Sequence, residues 1–126
     1  MTLYELLQAR TVINTHIDQT QPMSASLAYK LMKLIKGTQN EYDFYQEKFT
    51  AILNEYGEKN ENGKLIQNQE GIKVQEGKME ECSSKIKELN ETSVEAPNIK
   101  LTLKELEPYS FSIADMAQLD KFIQEE

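Results

Sequence analysis

Nine residues between Ser24 and Tyr56 constrain this chain more than anything else in it. Leu27, Leu31, Leu34, Thr38, Tyr42, Tyr45, Phe49, Ile52 and Tyr56 follow one another at intervals of 4, 3, 4, 4, 3, 4, 3 and 4. That is the spacing of one face of a long α-helix. It predicts a helix over 24–56, about 50 Å from end to end at 1.5 Å per residue. Gly37 weakens it locally, by about 1 kcal/mol relative to Ala, and marks either a bend or a close helix contact.

A helix with a single apolar face needs a partner to cover it. Gly57 is well placed as the residue just past the helix end. The segment 58–73 is polar and contains Asn62-Gly63, a turn signal because both residues tolerate positive φ. Lys64-Leu65-Ile66 and Ile72-Lys73-Val74 can pair as a minimal hairpin around 67–71. A flexible tip is the alternative, since two such short strands are marginal alone. A second helix is expected over about 75–91, where Met79, Cys82, Ile86 and Leu89 recur at 3, 4 and 3. Packed antiparallel to the first, it completes an αα-hairpin with a coiled-coil-like seam.

The flanks are well punctuated. Thr2 and Glu5 form a capping box. It opens a helix over about 2–17 that carries Leu3, Leu6, Leu7, Ile13 and Ile17 on a helical period. Residues 18–22 end it, Pro22 disfavouring helix at the residue before. Ser93-Val94-Glu95 and Ile99-Lys100-Leu101 read as short strands around Ala96-Pro97-Asn98. Thr102 with Glu105 caps a brief helix ending before Pro108. Ser112 with Asp115 opens a last helix through Met116, Leu119, Phe122 and Ile123. The closing Glu125-Glu126 is too short for an acidic tail. The fold class expected is mainly α. It is a long helical hairpin with an N-terminal helix and a small C-terminal α+β tail with short strands, in a single domain over 1–126. A chain of this length buries roughly 65% of its unfolded surface.

Charge narrows the function. The net charge is -7, with residues 1–57 contributing -1 and 58–126 contributing -6. Direct nucleic-acid binding needs a basic footprint, which is missing. The acidity suits solubility, or a partner that is itself basic. Lys30, Lys33 and Lys36 are the one basic cluster, and read as a solvated helix back. One cysteine allows no internal disulfide. The first residues lack a basic region followed by an apolar core, so no signal peptide is expected. No apolar run approaches the eighteen residues of a membrane span. The expectation is a soluble, cytoplasmic protein.

Chemistry is thinly supplied. His16 and Cys82 are each unique in the chain, too few for a zinc site. No Gly-x-Ser-x-Gly turn offers a serine to His16, and no glycine-rich phosphate loop is present. Clustered acids such as Glu41, Asp43 and Glu47 are helical neighbours on a solvated face. The reading is a non-enzyme without catalytic residues, metal or cofactor. Its candidate partner-binding residues are Phe44, which lies off the apolar stripe, the unassigned Tyr29 and Tyr109, and the acids Glu76, Glu80 and Glu81. Aromatic anchors of this kind carry much of the energy of protein interfaces.

Four segments carry a resemblance. They are Ser26-Leu27-Ala28-Tyr29-Lys30, Glu55-Tyr56-Gly57-Glu58-Lys59-Asn60-Glu61-Asn62-Gly63-Lys64, Ile99-Lys100-Leu101-Thr102-Leu103-Lys104-Glu105-Leu106-Glu107 and Phe122-Ile123-Gln124-Glu125-Glu126. In their order the chain resembles a family of short proteins from phages and prophages of Gram-positive bacteria, a domain of unknown function. The resemblance implies a phage accessory protein and transfers no catalytic residue. Two jobs follow. One is an anti-CRISPR-like inhibitor that occupies the basic, nucleic-acid-binding surface of a host or defence protein. The other is a virion, tail-accessory or assembly-chaperone role for a phage protein. The thin apolar stripe also leaves a homodimer open.

Overall fold

A computed structural model describes residues 1–69 and 71–124. Glu70, Glu125 and Glu126 lie outside the described residues, and with them the expectations about the chain's last two positions. The structure is mainly helical with a small C-terminal region of short strands.

Helix α1 spans Leu3–His16 and starts from the expected capping box. Thr2 Oγ1 accepts from the Glu5 amide at 3.1 Å, and the Glu5 carboxylate accepts from the Thr2 amide at 3.0 Å. It stops earlier than Pro22 would require. Ile17 turns extended at φ -120°, and Asp18 Oδ1 then takes the Thr20 amide at 2.9 Å, a local bond that competes with helix. Seven of its fourteen residues are buried, Leu3, Leu6, Leu7, Ala9, Arg10, Val12 and Ile13 among them. A helix covered on this much of its circumference is the centre of a fold. The expectation of a hairpin with an attached helix is therefore refined. Here α1 is the core, and the hairpin packs on one of its sides.

The long helix is present but bent into α2, Ala25–Gly37, and α3, Gln39–Tyr56. A Cβ on Gly37 would meet nothing within 4 Å, so the glycine marks the bend and no close contact. The bend itself is held by the fully buried Thr38. Its hydroxyl donates to the Leu34 carbonyl at 2.6 Å and accepts from Arg10 Nη1 at 3.4 Å. Arg10 also donates to Gln39 Oε1 at 2.7 Å and lies 4.6 Å from the centre of the Tyr42 ring. The apolar stripe keeps its helical order but not uniform burial. Leu27, Leu31 and Leu34 are buried, Tyr42 is 39% exposed, and Tyr45, Phe49 and Ile52 are half-buried.

After Tyr56 the chain forms the hairpin, not the tip. Strands β1, Gln67–Asn68, and β2, Gly71–Ile72, pair antiparallel, and Lys73 donates to the Ile66 carbonyl at 2.8 Å in continuation of that register. The expected fragments thus face each other, with the regular ladder one step nearer the turn. Both also lean on the helix end, through bridges Gly57–Val74 and Lys59–Leu65. Gly63 adopts φ 76° in the Asn62-Gly63 turn. Gly57 differs from expectation: at φ -73° it is not in the left-handed conformation of a usual helix-ending glycine. It is glycine for lack of space, since a Cβ there would sit 2.5 Å from the Leu53 carbonyl oxygen and 2.5 Å from Leu65 Cδ2.

Helix α4 runs Met79–Asn90, shorter than the expected 75–91 because Gly77, at φ 80°, turns the chain first. It lies antiparallel to α3: Gln75 Nε2 reaches the Gly57 carbonyl at 3.2 Å at one end, and the Tyr45 hydroxyl donates to Asn90 Oδ1 at 2.7 Å at the other. Leu89 packs with Leu3 and Leu7 of α1 and with Tyr45, Phe49 and Ile52 of α3. Cys82 is buried on the same stripe, as expected, whereas Met79 is 61% exposed.

The tail wraps α1. The two expected strands do not pair with each other. Ser93 bridges Thr2, and β3, Leu101–Thr102, pairs in parallel with β4, Ile123–Gln124. Both downstream capping boxes form. Thr102 opens α5, Leu103–Leu106, and Ser112 opens α6, Ile113–Leu119. The last helix ends sooner than its apolar spacing suggests. Residues Asp120–Phe122 tighten into a 3₁₀ turn so that Phe122 fills the core and Ile123 joins Leu101.

Candidate functional site

One candidate surface is the groove between α3 and α4. It has a volume of about 270 Å³ and is lined by Phe44, Lys48, Ala51, Ile52 and Glu55 on one side and Lys85, Glu88, Leu89 and Thr92 on the other. The sequence explains its shape. Ile52 and Leu89 turn partly inward toward α1, and the small Ala51 leaves the floor open. Phe44, one residue off the apolar stripe, then stands at the groove's end, 44% exposed, with Lys48 Nζ 5.8 Å from its ring centre. An exposed aromatic beside an apolar floor is the arrangement of an interface anchor.

The two helices flanking this groove hold most of the charge. Helix α3 carries four acids and one base, and α4 three acids and two bases, a combined -4 of the chain's -7. Glu76, Glu80 and Glu81 are all exposed at the start of α4, and of these only Glu81 has an ion pair among the described residues, with Lys78 at 3.8 Å. Their carboxylates also oppose the partial positive charge of the α4 N-terminus. Glu81 lies one helical turn before Lys85, so the acids continue the groove toward the hairpin end.

The remaining candidates lie elsewhere. Tyr29 is 56% exposed on α2 with Lys33 Nζ 5.3 Å from its ring centre. Tyr109 is half-buried against the main core cluster between α5 and α6, beside Met23 and Leu27, where its ring serves packing. The structure therefore places Phe44 at one end of the α3–α4 hairpin and Glu76, Glu80 and Glu81 toward the other, and leaves Tyr29 and Tyr109 apart from both.

Sequence reasoning missed a second cleft, about 390 Å³, between residues 19–23 and α2. Met23, Ala28, Leu31, Met32 and Ile35 line it, with Gln19, Gln21 and Lys36 at its edges. Ala28, Leu31, Met32 and Ile35 stand at i, i+3, i+4 and i+7, a signal that was overshadowed by the Leu27, Leu31, Leu34 stripe on the neighbouring face.

Titratable groups are engaged structurally. His16 Nε2 is 2.9 Å from Asp115 Oδ2 and meets the Phe111 ring edge-on, tying the end of α1 to the start of α6. Lys121 and the Thr2 bonds hold Glu5 down, from its ordinary 4.5 to about 2. Asp18 is lowered by bonds from Thr20, and Asp115 by the Ser112 amide and hydroxyl and by His16. Burial raises Glu105, but bonds from Lys30 and Thr102 outweigh it and leave it lowered. These four carboxylates are all held below their ordinary range, opposite to the shift of a general acid working near neutrality. Burial pushes the Cys82 thiol up, away from a reactive thiolate. Among the described residues no group of three or more His, Cys, Asp and Glu side chains could hold a metal ion, and no helix is long and apolar enough to cross a membrane. No family model matches the chain, and no curated protein or solved structure shows significant similarity to it.

Proposed function

We propose that this chain is a phage-encoded accessory protein that works without catalysis, by binding another protein through the α3–α4 hairpin. Its target in this reading is a host or defence protein that presents a basic, nucleic-acid-binding surface. The observation that carries the reading is the groove that exposed Phe44 lines together with Ala51, Ile52 and Leu89, flanked by helices that hold a net -4. An aromatic anchor supplies affinity, and the acidic surround supplies steering toward a basic surface and rejection of acidic ones. The resemblance of the four sequence segments to short phage proteins supports the origin.

The test is capture from a lysate of a Gram-positive host with the intact chain as bait, beside Phe44→Ala and the triple variant Glu76→Lys, Glu80→Lys, Glu81→Lys. The expected result is one basic protein held by the parent chain, lost from both variants, and released as salt rises above about 0.15 M. Equal capture by all three chains would overturn the reading. So would recovery of the chain from purified particles at fixed copy number, which belongs to a virion protein.

A further inference from the structure

The side of the bent helix turned away from α1 is divided by charge. Helix α2 contains Lys30, Lys33 and Lys36 and no acid, while α3 contains Glu41, Asp43, Glu47 and Glu55 with Lys48 as its single base. Opposite the buried stripe lies a second row: Tyr29, Lys33, Lys36, Asn40, Asp43 and Glu47, at intervals of 4, 3, 4, 3 and 4. All six are exposed. This is the repeat of a helix-pairing seam, here written in charges. Its basic half lies entirely before the Thr38 bend and its acidic half entirely after it.

Within one chain the division stabilises nothing. Among the described residues Lys33, Lys36, Asp43 and Glu47 are in no ion pair; Lys33 rests near the Tyr29 ring, and Asp43 accepts only the Gln39 side-chain amide at 2.9 Å. A second copy laid antiparallel, with a two-fold axis through Asn40, changes this. Lys33 then faces Glu47 of the other copy, Lys36 falls between Asp43 and Phe44, and Tyr29 falls beside Thr50 and Ala51. Two-fold symmetry makes each pairing twice. Parallel pairing instead sets lysine against lysine and acid against acid.

We propose that this ridge is a self-association surface, on which a second copy of the chain packs antiparallel across α2 and α3. The charge complementarity of the two halves selects that occupant and its direction. Phe44 lies one turn from Asn40 and Tyr29 falls beside Ala51, so the dimer and a target compete for that end of the α3–α4 groove, while Glu76, Glu80 and Glu81 stay free.

Sedimentation velocity of the intact chain at physiological salt tests this with two exposed double variants. Lys33→Glu with Lys36→Glu makes the ridge wholly acidic; Asp43→Lys with Glu47→Lys makes it wholly basic. Each exposed pair alters affinity by about twofold, and four pairs turn from attraction to repulsion, so each double variant dimerises at least about tenfold more weakly. An equimolar mixture of the two is expected to form a heterodimer, and the chain with all four substitutions to form a homodimer again. Circular dichroism of each variant separates lost pairing from lost folding. A parent chain that sediments as a monomer throughout, double variants that dimerise like the parent, or a mixture that stays monomeric would each overturn the proposal.

Discussion

Two glycine-to-alanine substitutions, twenty residues apart on the same bent helix, are expected to change stability in opposite directions. At Gly57 the backbone is ordinary, φ -73° and ψ 145°, so an alanine suffers no backbone strain. If conformational entropy alone decided, Gly57→Ala would stabilise by about 0.4–1 kcal/mol through the unfolded chain. Space decides otherwise. The new methyl would sit 2.5 Å from the Leu53 carbonyl oxygen, 2.5 Å from Leu65 Cδ2 and 3.1 Å from Ile72 Cγ2. Leu65 can rotate away, but Leu53 O is backbone and already accepts the Gly57 amide at 2.7 Å. Relieving the contact moves the hairpin off the end of α3, and overpacking of this kind costs about 1–3 kcal/mol. Gly37→Ala meets nothing within 4 Å and lies in helix, so it should stabilise by about 0.5–1 kcal/mol. Urea denaturation followed by circular dichroism reads both changes from the midpoint at unchanged slope. A Gly57→Ala chain as stable as the parent, or more so, would refute the close-approach argument.

Arg10→Met keeps the aliphatic stem but removes the bonds to Thr38 and Gln39 and the guanidinium over Tyr42; it should cost about 2 kcal/mol in the same assay. A neutral result there would show that Thr38 holds the bend unaided. Glu5 titrates at about 2 in the folded chain against an ordinary 4.5, so it binds a proton less readily folded than unfolded. Its contribution is fully present above pH 4.5 and fades as pH falls toward about 2, with the lowered Glu105 and Asp115 acting in the same sense. Urea midpoints measured down that range should fall, and Glu5→Gln should flatten the fall. Cys82, buried and with its thiol pushed up, should react with an aromatic disulfide reagent only after urea is added, and immediate reaction in buffer would contradict its place in the α4 stripe.

Short-range grammar was readable from the chain. All three capping boxes form as the Thr2–Glu5, Thr102–Glu105 and Ser112–Asp115 spacings imply, because each needs only four consecutive residues. The α3–α4 hairpin was legible through its two stripes, and Phe44 was rightly placed off the stripe. What escaped depends on distant partners. The Thr38 bend is held by Arg10, 28 residues earlier, and no helical pattern encodes that bond. Two-residue strands such as Leu101–Thr102 are too short for periodicity, and their partners, at Ile123–Gln124, are set by how the tail closes around α1. Tyr109 was an interface candidate only because its packing against α2 residues is invisible in one dimension.

The central position of α1 also bears on the proposal that the hairpin is a binding surface. Leu6, Ala9, Val12 and Ile13 of α1 are covered by Leu27, Leu31 and Leu34 of α2 and by Leu101, Leu106, Leu119 and Phe122 of the tail, an enclosed core. Leu3 and Leu7 face the hairpin, as Arg10 does through Gln39 and Tyr42; Leu89 is the one other buried member of their cluster, and Tyr45, Phe49 and Ile52 are partly buried against it. Burying a large apolar side chain completely is worth about 1.5–3 kcal/mol, so the uncovered fraction of these three residues leaves only part of such a contribution for a partner. The α1–α2–tail half therefore supplies the fold's stability. The α3–α4 half leaves Tyr42, Phe44 and Met79 exposed, the apolar surface through which the proposed partner would be held.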